Sequence, residues 1–396
     1  MASRLAHNPF RVENPNYGEA QSAALDWAEA KRACAHLRSW PVYERTPLVN
    51  AAALADKLGV GSIWVKNEAE RLPLKSFKSL GGAYALAEYL CSAVEQETGA
   101  RPDHATLFEG ALRDVAERFH VTAATDGNHG RSLAWGAQLF GAKATIFLPS
   151  GVSDERAQPL LDFGADIVRI SGNYEAALAA CAARAAQEDW VHLQDTSFGT
   201  FTASHKRIME GYTLLAAEII EQLPSDVHLT HSFLQVGCGG MASAITATFW
   251  NHFGAHAMPA PILVQSVEAD PLVQTFETGK RFVHTGAHDT LMVGIACGEI
   301  APLCETLLYP VAHSAITVDD AAAVDVMKGF ASGHFGEAPM TVGETGAAGL
   351  AALKTACGDA DMREALGLTK ASQVLVINSE GDTAPDTYRR LLEGPA

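Results

Sequence analysis

The feature that most constrains the fold of this chain is a rhythm. From Gly61 onward, short apolar, β-branched runs alternate with helix-length, alanine-rich stretches. The runs 62–66 (SIWVK), 120–126 (HVTAATD), 144–149 (ATIFLP), 166–171 (DIVRIS), 190–195 (WVHLQD), 230–237 (THSFLQVG), 262–268 (ILVQSVE) and 373–380 (QVLVINSE) read as strands, and 76–94 as a long helix. Strands that are apolar throughout need both faces covered, and a helix after each strand supplies the cover in parallel βαβ units. The sequence therefore predicts an α/β fold. Its 396 residues suffice for two domains of ordinary size. The regular run 83–206 is expected to form a small domain, and 1–82 with 207–396 a discontinuous large one. A single large sheet fits the alternation nearly as well. The polar stretch 95–118 reads as an insertion after the first long helix.

Composition removes several function classes. Hydrophobic residues make up 48%, enough for a sizeable core, and 29 basic against 46 acidic side chains leave a net charge of −17. Binders of nucleic acid or of anionic membranes need a positive field, so neither partner is expected. No apolar run approaches the ~18 residues of a membrane span, and the first residues lack the apolar stretch of a secretion signal. Seven cysteines, odd in number and never in a C-x-x-C pair, argue against a disulfide framework or a Cys-rich zinc site and for a reducing cytoplasm. No HExxH, Walker A or G-x-S-x-G pattern occurs, and no metal site is expected.

Ligands of open α/β sheets collect beyond the carboxyl ends of the strands, so the chemistry is sought in those loops. Lys78 lies in the loop LKSFKSLGGA (74–83), at a predicted helix start where the macrodipole disfavours a cation. It is either half of an ordinary surface pair with Lys75 or a lysine that reacts as a neutral amine. The loop ATDGNHG (124–130) ends a strand and opens a helix, which suits a carboxylate or phosphate; the plainer alternative is a cap formed by Asp126 or Asn128. In VGCGGMA (236–242), three glycines in four positions let the backbone approach an oxyanion. The same segment satisfies G-x-G-x-x-A with Glu268 closing the next strand, a weak dinucleotide signature. Asp195 and Ser379 end two further strands, where caps and turns are the ordinary use. Together these loops offer a lysine, an anion loop, a glycine cradle and a strand-end hydroxyl. A phosphate-bearing aldehyde cofactor needs that set.

The segments SFKSLGGAYA (76–85), TDGNHGR (125–131), QDT (194–196), QVGCGGMA (235–242), GIACGE (294–299), GETGAAGL (343–350) and SEGDT (379–383) occur in the order found in pyridoxal-phosphate enzymes of the tryptophan-synthase β type, fold type II. Within that superfamily the chain most resembles the diaminopropionate ammonia-lyases, which carry D-G-N-H-G-R where serine and threonine dehydratases have S-x-G-N-H. The resemblance spans about 45–390 and implies two domains, each an open, mostly parallel sheet covered by helices. It implies pyridoxal 5'-phosphate as cofactor, a small amino-acid substrate and a homodimer. It assigns Lys78 as the cofactor-bearing lysine, Phe77 beside the ring, Asn128 to the ring hydroxyl and Ser379 to the ring nitrogen. Gly237, Cys238, Gly239, Gly240 and Met241 would cradle the phosphate. Thr125, Asp126, Gly127, Asn128 and His129 would hold the substrate carboxylate. Lys78, Asp126 and Asp195 would be catalytic, with Lys78 and Asp126 reaching Cα from opposite faces. The implied reaction is β-elimination of ammonia from 2,3-diaminopropionate, D or L, to pyruvate. A dehydratase or other β-eliminase of a 3-substituted amino acid and, more distantly, an NAD-dependent dehydrogenase are the alternatives. The chain departs from the family after Asp195, where FGTFTASHKRIM (198–209) replaces a W-x-G-Y-T-x-I-P-x-W-I-M pattern, and at Ala384, where the family has Asp.

Overall fold

The computed structural model describes residues 3–125, 127–196 and 202–394. Its strands are β1 (Leu5–His7), β2 (Leu48–Asn50), β3 (Ser62–Asn67), β4 (His120–Ala124), β5 (Lys143–Pro149), β6 (Asp166–Ile170), β7 (Val191–His192), β8 (His231–Gln235), β9 (Ala260–Ser266), β10 (Ser314–Val318) and β11 (Gln373–Asn378). They form two sheets, of order β1-β10-β9-β8-β11-β3-β2 and β6-β5-β4-β7. Every pairing in the second sheet is parallel, and in the first only the edge strands β1 and β2 run antiparallel. The α/β expectation holds, and the single-sheet alternative does not.

The chain divides into two compact units. The larger comprises Met1–Ala24, Arg45–Arg71 and Leu215–Ala396, and the smaller Leu25–Glu44 and Leu72–Leu214. These boundaries lie elsewhere than 82/83 and 206/207. The helix Trp27–Ser39 belongs to the smaller unit because Arg207 bonds Glu29 at 2.7 Å and the Glu88 carboxylate lies 3.1 Å from His36 Nδ1. A break at 206/207 would fall near the start of the 21-residue helix Thr202–Gln222. Its Gly211 sits so close to the Leu80 carbonyl that a Cβ would lie 2.0 Å away, which ties the helix to the turn that carries Lys78.

The insertion 95–118 resolves into the end of the helix Gly82–Thr98 and two short helices, His104–Phe108 and Arg113–Ala116. Here Trp40 Nε1 donates to His104 Nδ1 at 3.0 Å, which leaves the ring proton on Nε2, 2.9 Å from Glu88. The His36–Glu88–His104 group is thereby a hydrogen-bonded set, with the His104 lone pair already used.

In the larger unit, the chain segments adjoining the crossings at 44/45, 71/72 and 214/215 meet in a buried charge network. Glu218 accepts from Lys66 at 2.6 Å and from Arg71 at 2.7 and 2.9 Å, and Glu68 accepts from Arg71 at 2.8 and 2.9 Å. All four side chains are fully buried. Two cations face two anions, and Thr46 and Gln222 add further hydrogen bonds. Such a pair adds little over an apolar core, but removing one partner strands a charge. Glu218→Gln is therefore expected to cost about 3–5 kcal/mol, read as a lowered urea midpoint.

Candidate active site

In the smaller unit, the site is assembled around Lys78. The lysine lies on a short 3-10 turn, Phe77–Leu80, whose first residues are held by Ser76: its hydroxyl accepts from the Lys78 backbone N–H at 3.4 Å. Lys75 is exposed, whereas Lys78 is half-buried with its Nζ on the Oδ2 of Asp195. The two lysines are thus not a surface pair. Phe77 presents its ring 5.6 Å from the ammonium and packs edge-on against Tyr212 at 4.8 Å.

The reason Asp195 reaches Lys78 lies in the residue before it. Strand β7 is only two residues long, shorter than 190–195, because Gln194 takes over the pairing with its side chain. Its Oε1 accepts from the Ala124 N–H at 3.0 Å and its Nε2 donates to the Ala124 carbonyl at 2.8 Å. A carboxamide has replaced a peptide group in the ladder, so the main chain is released to turn Asp195 away from the sheet. The hydroxyl of Ser204 donates to the Gln194 carbonyl at 3.0 Å and fixes the same residue from the start of the next helix.

The charges follow from these placements. Burial works to raise the Asp195 carboxyl, but the charge and hydrogen bond of Lys78 outweigh it and hold the group below the usual carboxylate range. The His129 ring also faces Asp195, at 4.0 Å, but burial lowers its own pKa and keeps it neutral, so Lys78 is the charge that matters. His129 donates from Nε2 to the Leu193 carbonyl at 2.8 Å, leaving a lone pair on Nδ1 that has no hydrogen-bond partner among the described residues. Its side chain is therefore anchored to the strand end through Nε2, with Nδ1 facing Asp195. Burial likewise pushes His205 down to about 4.

Thr125 holds its own loop together. Its Oγ1 accepts from the N–H groups of Gly127 at 3.0 Å and Gly130 at 3.4 Å, closing the loop that opens the helix Asn128–Phe140. A threonine hydroxyl thus takes two N–H groups at this helix start, where Asn128 is half-buried. Asp126 lies outside the described residues.

In the larger unit, the glycine loop follows β8 and opens the helix Gly240–Phe253. Gly239 adopts φ 104°, a left-handed conformation that favours glycine. A Cβ there would stand 2.7 Å from that of Cys304, and one on Gly237 would stand 2.8 Å from the Gly294 carbonyl oxygen. The cradle is therefore shaped for glycine by the segment 294–304, whose GIACGE motif carried no assigned role from sequence. Cys238 contributes its carbonyl to the Ala301 N–H at 3.0 Å, and the Met241 side chain is buried. Also in this unit, Ser379 follows β11 and is 1% exposed, with a hydroxyl lacking any hydrogen-bond partner among the described residues. Its neighbour Glu380 is committed to the loop 343–346, where its carboxylate accepts from the Thr345 N–H at 3.0 Å.

The buried histidine makes one measurable demand. A ring kept neutral in the fold, against about 6.5 when unfolded, contributes stability fully present above pH 6.5 and lost as pH falls toward about 4. His205→Gln is expected to lose on the order of 2 kcal/mol less stability than the parent between pH 7.5 and 5, measured by urea unfolding at both values.

Comparison with known proteins agrees with this geometry. A family model described as pyridoxal-phosphate dependent enzyme matches residues 40–380. Diaminopropionate ammonia-lyase of Escherichia coli (strain K12) is 33% identical over 386 residues, 96% of this chain and 95% of the relative. The protein of that name from Salmonella typhimurium (strain LT2) is 32% identical over 97% of this chain and 96% of its own length. Among solved structures, the E. coli enzyme in complex with D-serine superposes with a TM-score of 0.89 at 32% identity, covering 99% of this chain and 97% of that one. The same enzyme with an aminoacrylate-PLP azomethine reaction intermediate gives 0.88. The chain belongs to the pyridoxal-phosphate-dependent enzymes of fold type II and, along nearly its whole length, to their diaminopropionate ammonia-lyase family.

Proposed function

We propose that this chain is a pyridoxal-phosphate-dependent lyase that eliminates the β-amine of 2,3-diaminopropionate, in its D form, its L form or both, to yield pyruvate and ammonia. The observation that carries it is the Lys78 ammonium on the carboxylate of Asp195, a pair turned out of the sheet by the Gln194 side chain.

The residues fit the cofactor on three counts. Gly237 and Gly239 have the clearances only glycine meets, with a helix N-terminus behind them for a phosphate. Ser379 holds a buried hydroxyl with no other hydrogen-bond partner among the described residues, suited to a ring nitrogen. Lys78 supplies the amine. In this reading Phe77 lies beside the ring, Asn128 bonds the ring hydroxyl, and the backbone N–H groups of Gly237, Cys238, Gly239, Gly240 and Met241 hold the phosphate.

When bound, the cofactor supplies an electron sink that makes the Cα proton of the substrate acidic. The chain's residues do the rest. The backbone of Thr125, Gly127, Asn128 and His129 holds the substrate carboxylate at a helix start. With its amine free, Lys78 would accept the Cα proton on Nζ, and the TDGNHG motif supports Asp126 as the base for the other configuration. Asp195 keeps its negative charge beside Nζ, so it stabilises the proton there until the leaving amine takes it. A hydroxyl at Ser379 stabilises a protonated ring nitrogen less than a carboxylate would, which favours elimination over transamination.

Assembly as a homodimer is part of this reading, supported by the resemblance to the superfamily. No helix among the described residues is long and apolar enough to cross a membrane, which accords with action on a small dissolved amino acid.

The direct test is a substrate panel with detection of 2-oxo acids. Diaminopropionate is expected to be turned over fastest, and borohydride to fix the cofactor on a peptide containing Lys78. Faster turnover of a 3-hydroxy amino acid moves the enzyme to the dehydratases, and labelling of Lys75 removes the central assignment. For Asp126→Asn, turnover of the D-isomer is expected to fall by on the order of 10²-fold or more, with a much smaller loss on the L-isomer. Equal loss on both isomers contradicts the two-base assignment.

A further inference from the structure

The glycine loop carries a thiol pair that elimination does not use. Cys238 is its second residue, and Cys297 sits in the turn that backs it, with the two Sγ atoms 3.3 Å apart. Both residues are half-buried, whereas Cys304, on the other side of Gly239, is buried. A bond length of about 2.05 Å is a little over 1 Å away.

We propose that Cys238 and Cys297 form a reversible disulfide site, and that oxidation there weakens the hold of the loop on the cofactor. The second half rests on the reading of 237–241 as the phosphate cradle; the first does not. The loop is clamped on both sides of Cys238. A Cβ on Gly237 would already stand 2.8 Å from the Gly294 carbonyl oxygen, and the Cys238 carbonyl is bonded to the Ala301 N–H at 3.0 Å. The loop has no room to shift toward 294–297 as a body, so closing the sulfurs turns the peptide groups around Cys238. Those groups carry N–H donors for the phosphate, and turning them away costs charge-assisted hydrogen bonds.

The oxidant is a low-molecular-weight disulfide such as oxidised glutathione. One protein thiolate attacks it, forming a mixed disulfide and expelling one small thiolate; the second cysteine then displaces the other. Two protein thiols are oxidised by two electrons, and their two protons end on the two small thiols to which the oxidant is reduced. Dithiothreitol reverses the exchange.

The test begins with protein stripped of cofactor and treated with oxidised glutathione or with dithiothreitol. After alkylation of free thiols, peptide mapping is expected to show a cross-link between the peptides of Cys238 and Cys297. Titration with pyridoxal phosphate, followed by cofactor absorbance, is expected to show binding weaker by about tenfold or more in the oxidised protein, restored by dithiothreitol. Cys297→Ser is expected to bind as the reduced parent does and to ignore the oxidant, while Cys304→Ser keeps the response. A cross-link to Cys304, glutathione retained on Cys238 alone, or equal affinity in both states overturns the proposal. If the reduced protein takes up no cofactor on Lys78, the proposed function fails and with it the effect on cofactor, while the peptide map still decides the disulfide.

Discussion

The local structure of the smaller unit around Lys78 answers one electrostatic requirement: a half-buried carboxylate, Asp195, is held ionised by a cation beside it. Burial of such a group without a partner would neutralise it. Lys78 meets the requirement, and its own position is fixed by the Ser76-capped turn against the long helix through Gly211. His129 is kept neutral beside the pair, so it adds no competing charge. The arrangement sets an ammonium against a carboxylate, with buried imidazole rings of lowered pKa beside them.

Much of this was legible in the sequence, and the parts that were not share a cause. Strands such as β3, β5, β9 and β11 are continuous apolar runs, and their period announces them. Strands β1 and β2 are three residues long, too short for any period to show. Strand β10 (SAITV) hides between alanine-rich neighbours that read as helix. The candidate residues of each unit showed the same division. Lys78 in one, and the glycine loop and Ser379 in the other, stood out because their residue types are unusual where they occur. Gln194, His205 and the backing turn at Cys297 did not, since a glutamine, a histidine and a cysteine announce nothing until the fold supplies their neighbours. The position of Asp126 falls outside the described residues, so its part stays with the motif.

The crossings between the units were the least legible element, for a further reason. Composition does not change where the chain passes from one compact unit to the other; the crossing at 214/215 even occurs within a regular helix. What marks three of these places is the network of Lys66, Glu68, Arg71 and Glu218, spread over more than 150 positions of sequence. Buried ions of opposite sign specify one registration of those segments, since any other leaves a charge unmatched.

Gln194 has a wider consequence. Its side chain is stitched to Ala124 and its carbonyl to Ser204, so the residue before Asp195 is fixed from two sides. The sequence departs from the family pattern from Phe198 onward, yet Asp195 keeps its lysine. A chain built this way keeps its heredity in separate compartments: the side-chain ladder that sets Asp195 on Lys78 runs through Gln194 and Ala124, ahead of the divergent residues, so the pair is inherited while they change.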